Sequence, residues 1–121
     1  MSKAARLFGT FALWGATLIE TLSMAVAGGG KFGSSGFWPK LFLGWGYPLW
    51  FCYAVGAAEL IGAAGLLVPR TAFYAASALS LIMTGAMGTL LMHQGSMSWR
   101  TPLIHLVILA GIALARRRAT S

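Results

Sequence analysis

The chain has 121 residues, of which 58% are hydrophobic and 9% charged, and its formal net charge is +7. So apolar a composition in so short a chain excludes an ordinary soluble globular domain and fits one domain whose solvent is lipid. The basic excess does not point to nucleic acid, because the cations are scattered singly except for Arg116, Arg117 and Arg118, and no basic face forms.

Four apolar runs approach the roughly 20 residues needed to cross a hydrocarbon core. The first covers residues 5–27 and carries Glu20. A secretory signal peptide is its rival reading, since Lys3 and Arg6 resemble an n-region and Ala25-Val26-Ala27 a cleavage site. The apolar region is too long for that, and Glu20 lies inside it, so a span is expected. Residues 28–47 follow, combining Gly28-Gly29-Gly30 and Ser34-Ser35-Gly36 with Phe37, Trp38, Phe42, Trp45 and Tyr47. Glycine and serine interrupt a span, whereas aromatic rings favour headgroup level. The segment is expected to lie on the membrane surface or fold back over the helices as a cap.

Pro48 opens the second run, 48–68, which holds Cys52 and Glu59. A single cysteine excludes an internal disulfide or a paired thiol motif and reads as a small packing residue. Val68-Pro69-Arg70 makes a tight turn into the third run, 71–92, where Ser77, Ser80, Thr84 and Gly88 form a polar stripe at helical spacing. His93 closes that run. The fourth, 99–116, begins with Trp99 and Arg100 at the interface and has Pro102 in its first turn. The expected fold class is therefore all-α, an integral membrane four-helix bundle forming one domain over residues 1–121.

With four spans both termini share a side. Lys3, Arg6, Arg70 and Arg116 to Arg118 would lie there, against Lys31, Lys40 and Arg100 opposite. The positive-inside rule then favours an inner (plasma) membrane protein with both termini cytoplasmic and the aromatic segment outside.

Glu20 and Glu59 are the two acidic side chains of the chain. An ionised carboxylate at bilayer depth costs roughly 2.5 to 3.5 kcal/mol, which makes each a functional-site candidate. Ala16, Thr17, Ser23, Met24 and Ala27 share a helix face with Glu20, and Cys52, Val55, Gly56, Gly62, Ala63 and Leu66 share one with Glu59. Small residues let membrane helices approach closely, so both glutamates are expected to face the bundle interior. An isolated carboxyl at such depth is held neutral, and at least one is expected uncharged at pH 7, able to donate to a carbonyl oxygen. Structural hydrogen bonding to a serine or threonine is the plainer alternative for both, and the stripe can equally satisfy its own helix carbonyls.

The histidines offer a weaker possibility. His93 and His105 could clamp a haem iron, or one could join a glutamate at a metal. Interfacial hydrogen bonding accounts for them more simply, and the five methionines of the spans and loops read as packing.

Ala27-Gly28-Gly29-Gly30-Lys31-Phe32 after the first span, Gly46-Tyr47-Pro48 before the second, Gly56-Ala57-Ala58-Glu59-Leu60-Ile61-Gly62 within it and Gly85-Ala86 leading to His93 in the third resemble the DoxX family of small four-helix membrane proteins. The resemblance covers nearly the whole chain. It implies a membrane bundle with Lys31, Glu59 and His93 at recurrent polar positions; Glu20 is not carried over. Some members are described as the membrane subunit of a thiosulfate:quinone oxidoreductase, others as membrane partners of redox enzymes.

The expected function is a membrane subunit of a redox system that binds a quinone or similar lipid-soluble ligand between its helices, without being catalytic alone. Glu59, Glu20, Ser80 and Thr84 would meet the ligand, Lys31 would neutralise an anion near the outer mouth, and Trp38, Trp45 and Trp50 would line the way in from the bilayer. Expected partners are membrane lipids and other membrane subunits or further copies of the chain, not nucleic acid. The alternatives are a structural accessory subunit docked onto a larger membrane complex, or a carrier of protons or small solutes.

Overall fold

The computed structural model describes residues 2–33, 36–93 and 98–117. Ser34, Ser35, Met97 and Arg118 lie outside the described residues. The chain forms α1 (Lys3–Gly29), α2 (Phe37–Gly44), α3 (Leu49–Leu66), α4 (Pro69–Met92) and α5 (Arg100–Arg116). α1 packs on α3, α3 on α4, α4 on α5 and α5 back on α1, which closes a four-helix ring; α2 rests on α3.

Among the described residues three helices, α1, α3 and α4, are long and apolar enough to cross a membrane. The expectation of four spans is corrected in one respect. Trp99 is the N-cap of α5 rather than part of it, and the helix has 17 residues. At 1.5 Å per residue it is about 25 Å long, slightly less than the hydrocarbon thickness. α5 completes the bundle as a shorter fourth wall.

Local signals set the helix ends. Ser2 Oγ accepts from Ala5 N–H at 3.1 Å and caps α1. Pro69 occupies the first turn of α4, where its missing N–H costs nothing. Thr71 Oγ1 donates to the carbonyl of Gly65 at 2.9 Å and satisfies an end of α3 across the turn. Within the segment expected to lie on the membrane surface or fold back as a cap, α2 is a helix that rests on α3. It ends in a Schellman motif: Tyr47 N–H donates to Phe42 O and Gly46 N–H to Leu43 O, both at 3.0 Å, with Gly46 at φ +92°. That reversal returns the chain to the bundle and aims Tyr47 inward.

The core contains Met24, Ala63, Leu66, Ala76, Leu79, Met83, Leu109 and Ile112. Large apolar side chains such as Phe8, Phe11, Ile61, Leu81 and Val107 are exposed on the outer faces. Water would penalise that surface, whereas lipid matches it, and the fold is that of an all-α membrane protein. Because lipid tails are as apolar as leucine, the helices are held by close packing and polar contacts rather than by exclusion from water.

Closest approach occurs where α1 crosses α3. A Cβ on Gly28 would lie 2.8 Å from Gly56 O, and one on Gly56 would lie 2.9 Å from Gly28 O and 2.8 Å from Lys31 Cβ. The glycine run therefore does not end α1 at residue 27; Gly28 stays helical because its bare surface is the contact. Gly62 does the same against Leu79, and Gly65 against Ala75. Gly56→Ala is expected to force α1 and α3 apart at a cost of about 1 to 3 kcal/mol. Gly15→Ala, with nothing within 4 Å of the added methyl, should leave stability unchanged or slightly raised. Denaturant unfolding in detergent, followed by helicity, distinguishes the two.

Candidate functional site

The turn after α1 is built onto α3. Cys52 Sγ–H donates to Lys31 O at 3.4 Å, Tyr53 O–H donates to Gly33 O at 3.0 Å, and the Phe32 and Tyr53 rings stack at 5.8 Å. Cys52 thus acts as a small buried packing residue with one weak hydrogen bond. Lys31 Cβ lies over bare Gly56, one helical turn from Glu59, and the lysine side chain runs back into the bundle. Its Nζ stands 2.6 Å from Glu59 Oε1, donates to Ala27 O at 3.3 Å and sits 4.0 Å above the centre of the Trp38 ring.

Lys31 and Glu59 are only 3% and 1% exposed. Unit charges this deep attract each other strongly, but removing both from water is costly, so the pair persists because each charge answers the other. At 2.6 Å the Lys31 ammonium meets Glu59 Oε1 as an ion pair. Trp38 and Ala27 O complete the surroundings of the ammonium.

A second pair joins α1 to α5. His105 Nδ1 lies 2.8 Å and 3.0 Å from the two oxygens of Glu20, which is wholly buried. This nearly symmetric approach is that of an N–H aimed between two carboxylate oxygens. Glu59 thus has a lysine, and Glu20 an imidazole, within bonding distance.

Between these pairs lies a cavity of about 480 Å³. Trp38, Phe42 and Trp45 from α2 and its cap, with Tyr47 and Phe51, form an aromatic wall; Met24, Ile82, Met83 and Leu90 supply aliphatic surface. Lys31, Glu59, His105, Thr89, Thr101 and Ser23 are its polar lining. Thr89 Oγ1 donates to Gly85 O at 3.0 Å, so the 2.8 Å contact with Tyr47 has the tyrosine hydroxyl as donor. This bond ties the segment after α2 to α4 across the cavity.

The structure places the sequence candidates unequally. Lys31, Glu59, Trp38 and Trp45 line the cavity. Glu20 stands behind His105, outside the lining. Trp50 is 68% exposed on the outer surface, edge-on to the cavity residue Phe51. Ser80 Oγ donates to Ala76 O at 2.7 Å and Thr84 Oγ1 to Ser80 O at 2.8 Å, so both hydroxyls are turned onto their own helix and neither side chain belongs to the lining. Lys31 was expected to meet an incoming anion; its charge is already matched by Glu59.

His93, proposed with His105 for haem or metal, has Nδ1 bonded to Thr89 O at 3.1 Å and its ring near Trp45. Among the described residues no group of three or more His, Cys, Asp or Glu side chains is arranged to hold a metal ion. Sequence reasoning missed the partnership of His105 with Glu20, and the Tyr47–Thr89 bond. The signal for the former was thin: two buried acids need cations, and Lys31 can serve only one.

Residues 9–112 match the family model described as the DoxX-like family, which is most of the chain. No curated protein and no solved structure matches it.

Lys31→Met strands Glu59 without its cation in a dry site and is expected to destabilise the protein by about 3 to 5 kcal/mol. Replacing both partners, as Lys31→Met with Glu59→Leu, should recover most of that loss. Unfolding midpoints of both single variants and the double variant in one detergent give the coupling directly; single losses that simply add in the double variant would refute an interdependent pair.

Proposed function

The chain belongs to the DoxX-like family, and from that premise we propose that it is a membrane subunit that binds a lipid-soluble ligand, of the quinone class, in the cavity between its helices. The observation that carries this reading is the 480 Å³ cavity itself, mostly apolar and aromatic, with Lys31, Glu59 and His105 on its wall. Pockets for small molecules commonly span about 300 to 1,000 Å³ and combine an apolar wall with a few placed polar groups. A quinone head group has a flat face to stack on rings and carbonyl oxygens that accept hydrogen bonds, and its tail suits lipid.

The chain's own residues would bind and orient such a ligand. Trp38, Trp45, Phe42 and Phe51 offer faces for the ring. The Lys31 ammonium has three protons, and a carbonyl oxygen can accept one while Glu59 keeps the charge balanced. Glu59 therefore tunes the lysine rather than meeting the ligand alone. When bound, a quinone supplies two-electron carrier chemistry. With Cys52 as its single cysteine the chain has no dithiol couple, so in a redox system it would hold the quinone beside a partner subunit that handles electrons.

Orientation follows from the same reading. Lys3, Arg6, Arg70, Arg116 and Arg117 belong to one end of the bundle by helix direction, and that end is proposed to face the cytoplasm of the inner membrane, with α2 capping the outer side.

A short-chain decyl-benzoquinone added to the purified full chain in mild detergent is expected to quench tryptophan fluorescence saturably, since Trp38 and Trp45 stand on the cavity wall. Ala86→Leu, which fills part of the cavity, should weaken binding by about ten-fold or more, equivalent to roughly 1.4 kcal/mol. Glu59→Gln should weaken it as well. Quenching that is unsaturable, or equal in wild type and both variants, would reject the cavity as the binding site. A tightly retained protein partner together with no quinone binding would favour the accessory-subunit alternative.

A further inference from the structure

We propose that His105, oriented by Glu20, is a proton-dependent reader of the ligand's oxygen: protonated, it selects a carbonyl, and neutral, it selects a hydroxyl. This rests on the quinone-class reading of the cavity and adds the property that distinguishes the oxidised from the reduced head group.

The two ring nitrogens of His105 have different surroundings. Nδ1 faces the oxygens of Glu20 at 2.8 Å and 3.0 Å, and an ionised Glu20 takes an N–H from Nδ1 in either protonation state of the ring. All variation in proton content therefore falls on Nε2. His105 lines the cavity while Glu20 does not, so the ring is the surface that a ligand meets and the carboxylate acts only through it. An imidazolium presents Nε2–H, a donor that matches a carbonyl oxygen. A neutral imidazole presents a lone pair, an acceptor that matches a hydroxyl. Each mismatch leaves a polar group unpaired in a dry site, which costs about 1 to 3 kcal/mol.

Glu20 reaches the cavity through His105 alone. It is 0% exposed and would be costly there as an unpartnered charge. Its presence keeps the imidazolium available inside an apolar bundle, just as a carboxylate behind a metal-bound or catalytic histidine fixes ring orientation and basicity. Glu20 is thus a positioning residue, and His105 is the contact. Other charged groups on the same cavity are Lys31 from the turn after α1 and Glu59 from α3; α4 contributes Thr89, with no ionisable side chain on the lining. His93, at the end of α4, stands near Trp45 outside the lining.

The test compares two probes that differ only in protons and electrons: a decyl-benzoquinone and its fully reduced quinol, kept reduced under argon. Affinity of the purified full chain for each is measured between about pH 5.5 and 8, where histidine titrates and neither probe does. In the wild type the quinone is expected to bind at least ten-fold more tightly at the acid end than at the alkaline end. The quinol is expected to show the opposite trend or none. His105→Gln should flatten both profiles, with any remaining slope reporting Lys31, Glu59 and His93. Glu20→Gln, nearly isosteric, should also reduce the quinone's acid-end preference, because a carboxamide holds the ring without balancing its charge. It serves as the second variant if His105→Gln does not retain wild-type helicity and elution volume. Parallel pH profiles for the two probes, or a wild-type profile preserved in a folded Glu20→Gln variant, overturn the proposal while leaving the cavity reading intact. Absence of binding by both probes to the wild type overturns both.

Discussion

A lysine and a glutamate facing each other inside an apolar bundle impose the strictest condition on this molecule. Neither charge can stay at that depth alone, so the chain must deliver Lys31 Nζ to within 2.6 Å of Glu59. The delivery depends on backbone geometry. Gly28 and Gly56 let α1 and α3 touch without side chains between them, and the turn carrying Lys31 is then fastened by Cys52 and Tyr53 from the same helix face. Glycine, cysteine, tyrosine and glutamate at helical spacing on α3 are the components of one receptacle for the turn after α1.

The same constraint shapes the cavity. A lysine drawn inward brings Trp38 against its ammonium, and Trp38 belongs to α2, so the charge pair helps to hold α2 above the bundle. The Schellman turn after α2 then sends Tyr47 toward Thr89 of α4. Rings and aliphatic chains are thereby kept around a space that the helices do not fill. On the far wall Glu20 and His105 fasten α1 to α5, a helix pair with less mutual contact than α4 and α5. Both carboxylates are simultaneously fasteners between elements and part of the polar setting of the cavity.

Polar contacts carry more responsibility here than in a soluble bundle of equal size. Leu81, Ile61 and Phe8 face outward, where lipid satisfies them as well as any neighbour could. Helix association thus depends on small-residue contacts such as Gly62 against Leu79, together with the two charged or charge-capable pairs. The economy is visible in α4: its Ser80 and Thr84 hydroxyls return to their own helix, while Thr71 reaches the carbonyl of Gly65 and Thr89 meets Tyr47.

Sequence by itself determined the membrane character, the helical class and the inward direction of both glutamates, because composition and helical spacing are local properties. Thr17, Met24, Gly56, Gly62 and Ala63, which share faces with Glu20 and Glu59, are buried with them. It also marked Lys31, Trp38 and Trp45 as site candidates from their place in the aromatic segment. Only the tertiary structure decided who pairs with whom. Glu20 and His105 are 85 residues apart in the chain, and no periodicity links them. Whether Ser80 faces the cavity or its own carbonyl, whether Trp50 points in or out, and whether residues 37–44 form a helix all depend on how neighbouring helices are rotated and crossed. That rotation is fixed by the bare contact of Gly28 with Gly56 and by the need of each buried acid for a base, which are properties of the assembled bundle and not of any one segment.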